Sequence, residues 1–444
     1  MNHVCALTWG FLLVLVPMCV ASTRDTPRKR ESSYETIMRL RREAANKKTA
    51  DREKVSIGPV VATATLKLVP PTLGSPASYL GFRRYDTTSV RPAALREVPA
   101  DAPRVPAYFV VRVGGREVPG VTYRSTRRPG PTKFRLDTDG DGLFSDETEY
   151  TGTWLRWLYP PNTHRFGPVA TRQGQRGPTG AAFYAHCANG EWLTLHTAFY
   201  REGRVTLNGS RYKIALVDKD FDGRFNQSFV PPAANRRDPQ CDVLALDLNG
   251  DSKFGYGKPG ESEIMPLSTL IRVGGDYYHL GVSEDGRTVE FRQAKPAFGR
   301  LDLGGEEVVL GLWSDAAQQR LSSFRGKLSL PAGRYAIVSL ELTKSDSGDR
   351  WTFDMSKETG QLGDFEIRPG ETTSFKIGPP FQVRASMRRF GKAPDVSISF
   401  DLEGQAGEQY SAVAKKNDKE VPEPSFKIWD GGGRVVRSGQ FAYS

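Results

Sequence analysis

The chain has 444 residues, with 62 Lys and Arg against 51 Asp and Glu, and a net charge of +11. Its 38% apolar content separates it from disordered chains, and 45 Gly, 30 Pro and a 10% aromatic share suit turn-rich β structure. Beyond the N-terminus no segment approaches ~18 unbroken apolar residues, which excludes a membrane-spanning helix there.

Residues 1–21 carry the pattern of a secretion signal. Gly10–Val16 is an apolar core, and Cys19-Val20-Ala21 is a small-residue site that predicts cleavage after Ala21. The expectation is a secreted, periplasmic or cell-envelope protein with no transmembrane span once the signal is cut. Cleavage removes Cys5 and Cys19 and leaves Cys187 and Cys241, which an oxidising compartment can pair or leave as thiols. Residues 22–54 form a basic spacer of mixed charge, including Arg28-Lys29-Arg30, Arg41-Arg42 and Lys47-Lys48. A basic chain can meet acidic polysaccharide, a membrane surface or nucleic acid. Export, and the lack of a basic motif interleaved with aromatics, argue against nucleic acid. What remains is an unidentified surface or matrix partner, acidic polysaccharide among the candidates.

Residues 55–296 read as β structure. Val60–Val69 is rich in β-branched residues, and Ala107–Val113 is a short strand closed by Gly114-Gly115. Lys133–Leu136 leads into DTDGDGLF, Asp137–Phe144. Glu191–His196 precedes a hairpin of Arg204–Leu207 and Arg211–Val217 about an Asn208-Gly209 turn. That hairpin runs into DKDFDGRF, Asp218–Phe225, and Asp242–Leu246 runs into DLNGDSKF, Asp247–Phe254. Leu270–Val273, Tyr277–Val282 and Thr288–Arg292, joined by Gly274-Gly275 and Asp285-Gly286 turns, form a β-meander.

The three octapeptides are alike. Acidic or amide side chains at positions 1, 3 and 5, then Gly and an apolar residue, make the first half of an EF-hand-type calcium loop. Ca²⁺ takes six to eight oxygens, and alternate residues of a curled loop point theirs inward. Position 6 wants Gly for the sharp turn. Position 8 is Phe in every copy (Phe144, Phe225, Phe254) and is expected to pin the loop to apolar neighbours. Asp and Gly favour ordinary turns as well; the shared Phe sets these three apart. With strands on either side, the loops borrow only the ion-wrapping half of the EF-hand.

The first site offers Asp137, Asp139, Asp141, the Leu143 carbonyl and Ser145, with Thr148 at position 12 and Glu147 or Glu149 beside it as the closing acid. The second offers Asp218, Asp220, Asp222, the Arg224 carbonyl and Asn226, with Phe229 at position 12, so Asp238 or Asp242 must close it. The third offers Asp247, Asn249, Asp251 and the Lys253 carbonyl, with Ser252 where Gly is wanted and Glu261 or Glu263 as the distal acid. Two to three Ca²⁺ ions are expected, with affinities on the order of 10⁻⁴ M because position 12 is incomplete.

Residues 297–444 stay β but change pattern. Val396, Ile398, Phe400 and Leu402 alternate with Ser397, Ser399 and Asp401. Tyr335–Leu342, Asp364–Ile367, Ser374–Ile377 and Ser425–Trp429 continue the scheme between Pro- and Gly-rich turns, which predicts a C-terminal β-sandwich of immunoglobulin-like type. The fold class is therefore mainly β and multidomain. Catalytic signatures are missing: no HExxH, GxSxG or phosphate-binding Gly loop occurs, and no GxGxxG stands in the strand-to-helix setting of a dinucleotide fingerprint. His186, Cys187 and His196 match no structural zinc spacing. A glycosidase carboxylate pair needs only to meet in space, so sequence is silent on it.

At ALVDKDFDGRFN and LALDLNGDSKF, followed by IRVGGDYYHLGVSEDGRTVEF, the chain resembles a group of exported bacterial β-rich proteins of uncharacterised function. Their pattern is strand, DxDxDG loop, strand, DxNGDG loop, then a VGG…Y…DG meander. LPAGRYAIVSLEL and PSFKIWDGGGRVVRSGQFAY resemble the sandwich-like modules of such proteins. The likeness runs from about Tyr108 to the end; Ser252 and the twelfth positions depart from it. It implies export and calcium loops, and it names no role. The expectation is a calcium-binding structural or interaction protein without catalysis of its own. The alternative is a calcium-dependent polysaccharide-binding or polysaccharide-active protein.

Overall fold

The computed structural model describes residues 5–8, 58–71, 82–103, 106–114, 116–124, 132–155, 163–170, 182–188, 192–231, 241–255, 263–305, 307–314, 319–324, 326–355, 359–389, 396–411 and 413–441. The expected cleavage site at Ala21 and the spacer 22–54 lie outside these residues; Cys5–Thr8 is a strand paired with Ser425–Ile428. Among the described residues the protein is nearly all β, its helical content a single 3₁₀ turn at Gly360–Gly363. Among these residues no helix is long and apolar enough to cross a membrane. Two compact units divide mainly between Pro296 and Ala297: one holds Thr49–Pro296 with Trp313–Gln318, the other Ala297–Leu312 and Gln319–Ser444 with Met1–Lys48.

The Thr49–Pro296 unit contains a curled sheet and a sandwich. The sheet has eight strands, in the order Ile264–Pro266, Val243–Leu246, Ser210–Val217, Tyr200–Leu207, Val60–Val69, Thr288–Ala294, Asp276–Val282, Leu270–Val273. Every neighbouring pair is antiparallel. Laid flat, eight strands would span about 34 Å at ~4.8 Å per step. The two edge strands are nevertheless consecutive in the chain, with only Leu267, Ser268 and Thr269 between them, and so few residues reach at most about 14 Å. The sheet must therefore roll up toward a barrel. Alternation along each strand turns Leu66, Leu207, Leu216, Leu246, Val273 and Phe291 into one shared core.

The sandwich is inserted between two neighbours of that sheet. Val69 and Tyr200 face each other across the ladder, and the chain between them builds two further sheets. One comprises Ala107–Val113, Arg116–Arg124, Thr132–Leu136 and Tyr150–Thr151; the other comprises Phe82–Asp86, Trp192–Thr197, Ala182–Ala188, Thr163–Ala170 and Thr153–Trp154. Their inner faces share a core that includes Phe109, Phe134, Phe166, Phe183, Leu193 and Leu195. Phe134 stacks between Phe109 and Phe166, with centroids 5.3 Å from each. Burying aromatics of this size is the main favourable term, roughly 1.5–3 kcal/mol for a full Phe side chain.

The C-terminal unit has the layered plan of a β-sandwich. A long mixed-length sheet runs Gln319–Phe324, Glu307–Ser314, Gly333–Asp346, Asp349–Asp354, with Lys415–Lys416 and Lys419–Glu420 beyond. A smaller sheet of Lys327–Pro331, Phe298–Asp302 and Thr372–Ser374 includes a parallel pair. Leu301, Leu310, Leu330, Tyr335, Leu342 and Leu402 belong to one core. The buried Tyr335 hydroxyl donates to the Pro331 carbonyl at 2.7 Å, four residues upstream, the tyrosine-corner bond found in Greek-key sandwiches. Ser374–Ile377, expected as a strand, is displaced: the strand is Thr372–Ser374, set by its parallel register with Arg300–Asp302.

Candidate metal centre

The three acidic octapeptides leave strands at Leu136, Val217 and Leu246, and each closes into a loop with nearly the same internal wiring. The carboxylate at position 1 accepts from the backbone N–H of position 6: Gly142 to Asp137 at 3.1 Å, Gly223 to Asp218 at 2.7 Å, Ser252 to Asp247 at 2.9 Å. The carboxylate at position 5 accepts from position 7: Leu143 to Asp141 at 2.8 Å, Arg224 to Asp222 at 2.7 Å, Lys253 to Asp251 at 2.8 Å. Position 6 has left-handed backbone each time, with φ of 82° at Gly142, 79° at Gly223 and 65° at Ser252. Only at Ser252 does a side chain bear that conformation.

A distal carboxylate then returns to the N–H of position 2. Thr138 donates to Glu147 at 2.5 Å, Lys219 to Asp242 at 3.4 Å and Leu248 to Glu263 at 2.8 Å. Strand register explains two of these. Val217 faces Val243, so Asp218 and Asp242 follow and precede paired residues at one sheet end. Ala245 faces Ile264, and Leu246 N–H donates to the Glu263 carbonyl at 2.8 Å, which brings Asp247 beside Glu263. The acid next to the returning strand is thus the one delivered. Of the paired candidates, Asp238 and Glu261 lie outside the described residues. Glu149 is drawn instead into ion pairs with Lys133 at 2.8 Å and Arg135 at 2.5 Å.

Three groups of carboxylates result: Asp137, Asp139 and Asp141; Asp218, Asp220 and Asp242; Asp247, Asp251 and Glu263. In each, one oxygen per residue lies within 4.8 Å of the others, a spacing that can hold a metal ion. The loops differ in enclosure. Asp139, Asp141, Asn249 and Asp251 are exposed, whereas Asp218 and Asp242 are buried and Asp220 and Asp222 are half-buried. Ser145 and Asn226 are exposed, and Gln227 takes the inward place near the second loop, donating its side-chain amide to Asp222 at 2.6 Å and its N–H to Asp242 at 2.8 Å. Position 8 behaves as expected: Phe144, Phe225 and Phe254 are buried.

Crowded charge raises the acids. Burial, then the charges of Asp220 and Asp222, holds Asp218 well above the usual carboxylate range. Asp242 is raised in the same way by burial and the charges of Asp218 and Asp220. Burial followed by the Asp220 charge pushes Asp222 up to about 6. Asp137 is raised mainly by burial, against the bonds from Gly140 and Gly142. The Oδ1 atom of Asp220 is buried with no hydrogen-bond partner. A buried carboxylate oxygen without a donor is costly, and a cation within this group would satisfy it. The donor set is all hard oxygen, which suits hard cations rather than metals preferring nitrogen or sulfur.

Several neighbours escaped sequence reasoning. Glu97 accepts from Phe144 and Ser145 N–H at 3.0 and 3.2 Å and clasps the first loop; the Phe144 bond is the first cause holding its carboxyl below the usual value. Gly114 and Thr197 reach the second loop from the sandwich. None carries a local signal, because each arrives through tertiary packing. His186 and His196 do meet, with ring centroids 4.2 Å apart, and burial pushes them down to about 3 and about 4. Cys187 belongs to the core on the opposite face of its strand, so the three do not converge. Cys187 and Cys241 are buried thiols, and no disulfide joins them.

Comparison with protein-family models, with curated proteins and with solved structures gives no significant match. The functional reading therefore stands on the loops themselves: a mainly β protein with three acidic groups able to hold metal ions.

Proposed function

We propose that this is a calcium-stabilised structural or interaction protein of the secreted or envelope-associated kind, without catalysis of its own. The observation that carries the reading is the repeated wiring. Three loops place carboxylates at positions 1 and 5, turn at a left-handed residue at position 6 and recruit a returning acid to the backbone N–H of position 2. The loose ends of each loop are tied by backbone donors, and the carboxylates converge on a small volume between them. Asp137, Asp139, Asp141 and Glu147 would hold the first ion. Asp218, Asp220, Asp222 and Asp242 would hold the second, and Asp247, Asn249, Asp251 and Glu263 the third. Bound Ca²⁺ would neutralise the repulsion within each group and fix the connection between strands.

The test is a calorimetric melt of the full chain in EGTA, in millimolar Ca²⁺ and in Mg²⁺ at equal ionic strength. At about tenfold excess over Kd each occupied site adds roughly 1.4 kcal/mol, so a clear rise in Tm is expected in calcium. Magnesium should give little, because it prefers a smaller octahedral shell and keeps its waters. Equal Tm values in all three buffers would reduce the loops to acidic turns.

A further inference from the structure

The second loop differs from the other two in what its side chains bury into. Phe144 of the first loop packs with Tyr108, Val121 and Tyr123 of its own four-stranded sheet. Phe254 of the third packs with Ala215, Val243 and Ile264 of the curled sheet that bears it. The second loop faces two ways. Phe225 at position 8 enters the core of the curled sheet, and Phe221 at position 4 enters the core of the sandwich, 5.4 Å from Phe183. Phe221 holds a φ of 60°, unfavourable for a bulky residue and sustained here by complete burial of its ring.

The loop backbone is gripped by both sheets of the sandwich. Gly114, at the turn of the four-stranded sheet, donates its N–H to the Asp220 carbonyl at 3.0 Å. Thr197, at the end of a strand in the five-stranded sheet, donates its hydroxyl to the Asp218 carbonyl at 3.1 Å. A side chain at Gly114 would come to 3.2 Å of the Asp222 Cβ atom, so the approach is close. The chain itself passes between the sandwich and the curled sheet at Val69 and Tyr200.

We infer that the second loop is a metal-dependent clasp: an ion held by Asp218, Asp220 and Asp242 locks the inserted sandwich onto the curled sheet. This inference rests on the calcium reading above. Without the ion the three carboxylates repel, the loop opens, and Phe221, Gly114 and Thr197 lose the rigid surface they grip. The first and third loops, each contained in one sheet, act only on their own surroundings.

Hydrogen exchange followed by mass spectrometry on the full chain, in EGTA and in millimolar Ca²⁺, tests this. In the wild type, calcium should slow exchange at least tenfold in Ala182–Ala188, the sandwich strand that packs on Phe221 and lies in the sheet without a calcium loop, together with Ser210–Val217 of the curled sheet. In Asp220→Asn the sandwich response should vanish while residues 137–147 and 247–254 still respond. If Asp220→Asn alters only residues 218–229, the clasp is refuted and the calcium reading survives. A wild type that responds nowhere removes both. Should Asp220→Asn not fold, Phe221→Leu keeps every carboxylate. It should bind calcium normally and lose at least tenfold of the calcium-linked protection in the sandwich, and unchanged protection would overturn the clasp.

Discussion

At the scale of single residues, Ser252 is the place where loop chemistry and chain identity conflict. Left-handed backbone costs a side-chain-bearing residue about 1–2 kcal/mol, while Gly loses about 0.5–1 kcal/mol more entropy on folding. Ser252→Gly should therefore stabilise the fold by up to about 1 kcal/mol in calcium, read as a higher denaturation midpoint, and a lowered midpoint would show that the Ser side chain has a role of its own. The buried acids of the second loop give a pH signature. Their folded values lie above the ~3.9 of an unfolded Asp, so the fold holds these protons more tightly than the unfolded chain does. In EGTA their contribution is full below pH ~4 and is lost as pH rises, for Asp222 through about 6. Calcium needs the deprotonated forms, so its stabilisation grows over the same window. Tm measured against pH in EGTA and in calcium should diverge from pH ~4 upward, with protons released on binding. Glu97 and Glu149, held low, act with the opposite sign: their contribution is present above the ordinary carboxylate range and is lost as pH falls. Parallel curves would sink the assignment.

At the scale of elements, each loop works because the returning strand delivers an acid. Glu147→Gln and Glu263→Gln should each weaken calcium binding at their loop by about tenfold or more. Glu149→Gln should loosen the Lys133 and Arg135 pairs yet leave affinity within about twofold, and titration calorimetry separates the two outcomes. This division marks how far the sequence could be read. The loop interiors were legible, because Asp, Asn and Gly at fixed offsets act on their own backbone. Asp242 and Glu263 were visible as one of two candidates apiece, and only register with the next strand chooses between them. Strands such as Val60–Val69, Ala107–Val113 and Leu270–Val273 match their apolar runs. Arg116–Arg124 and Thr163–Ala170 were missed, since Pro119 and Gly167-Pro168 interrupt the pattern. Their partners compensate: Pro119 sits within a nine-residue strand, and the second interruption falls where pairing with Phe183 and Ala185 shifts register.

At the scale of the molecule, nothing local in the text announces that residues 70–199 form a sandwich inserted between two facing strands. The clue is the Val69–Tyr200 pair, which is long-range by construction. A chain in which a short Asn-Gly turn joins Val69 to Tyr200 should still roll up its curled sheet and bind calcium at the third loop. Circular dichroism and a cooperative melt would check this; an unfolded product would mean the sandwich is needed to complete the core.

The position of Val60–Val69 also bears on biogenesis. This strand is made first, yet it sits between Tyr200–Leu207 and Thr288–Ala294, so its two neighbours appear only after most of the unit has been synthesised. Until then a ten-residue β-branched segment, with Val60, Val61 and Leu68 outward even in the finished fold, waits with both edges open. Such distant pairing slows folding and leaves a template for strand addition by other chains. Production of the protein should thus be limited by self-association of nascent or truncated chains through this first strand, and chains ending before Thr288 should be the most prone to it.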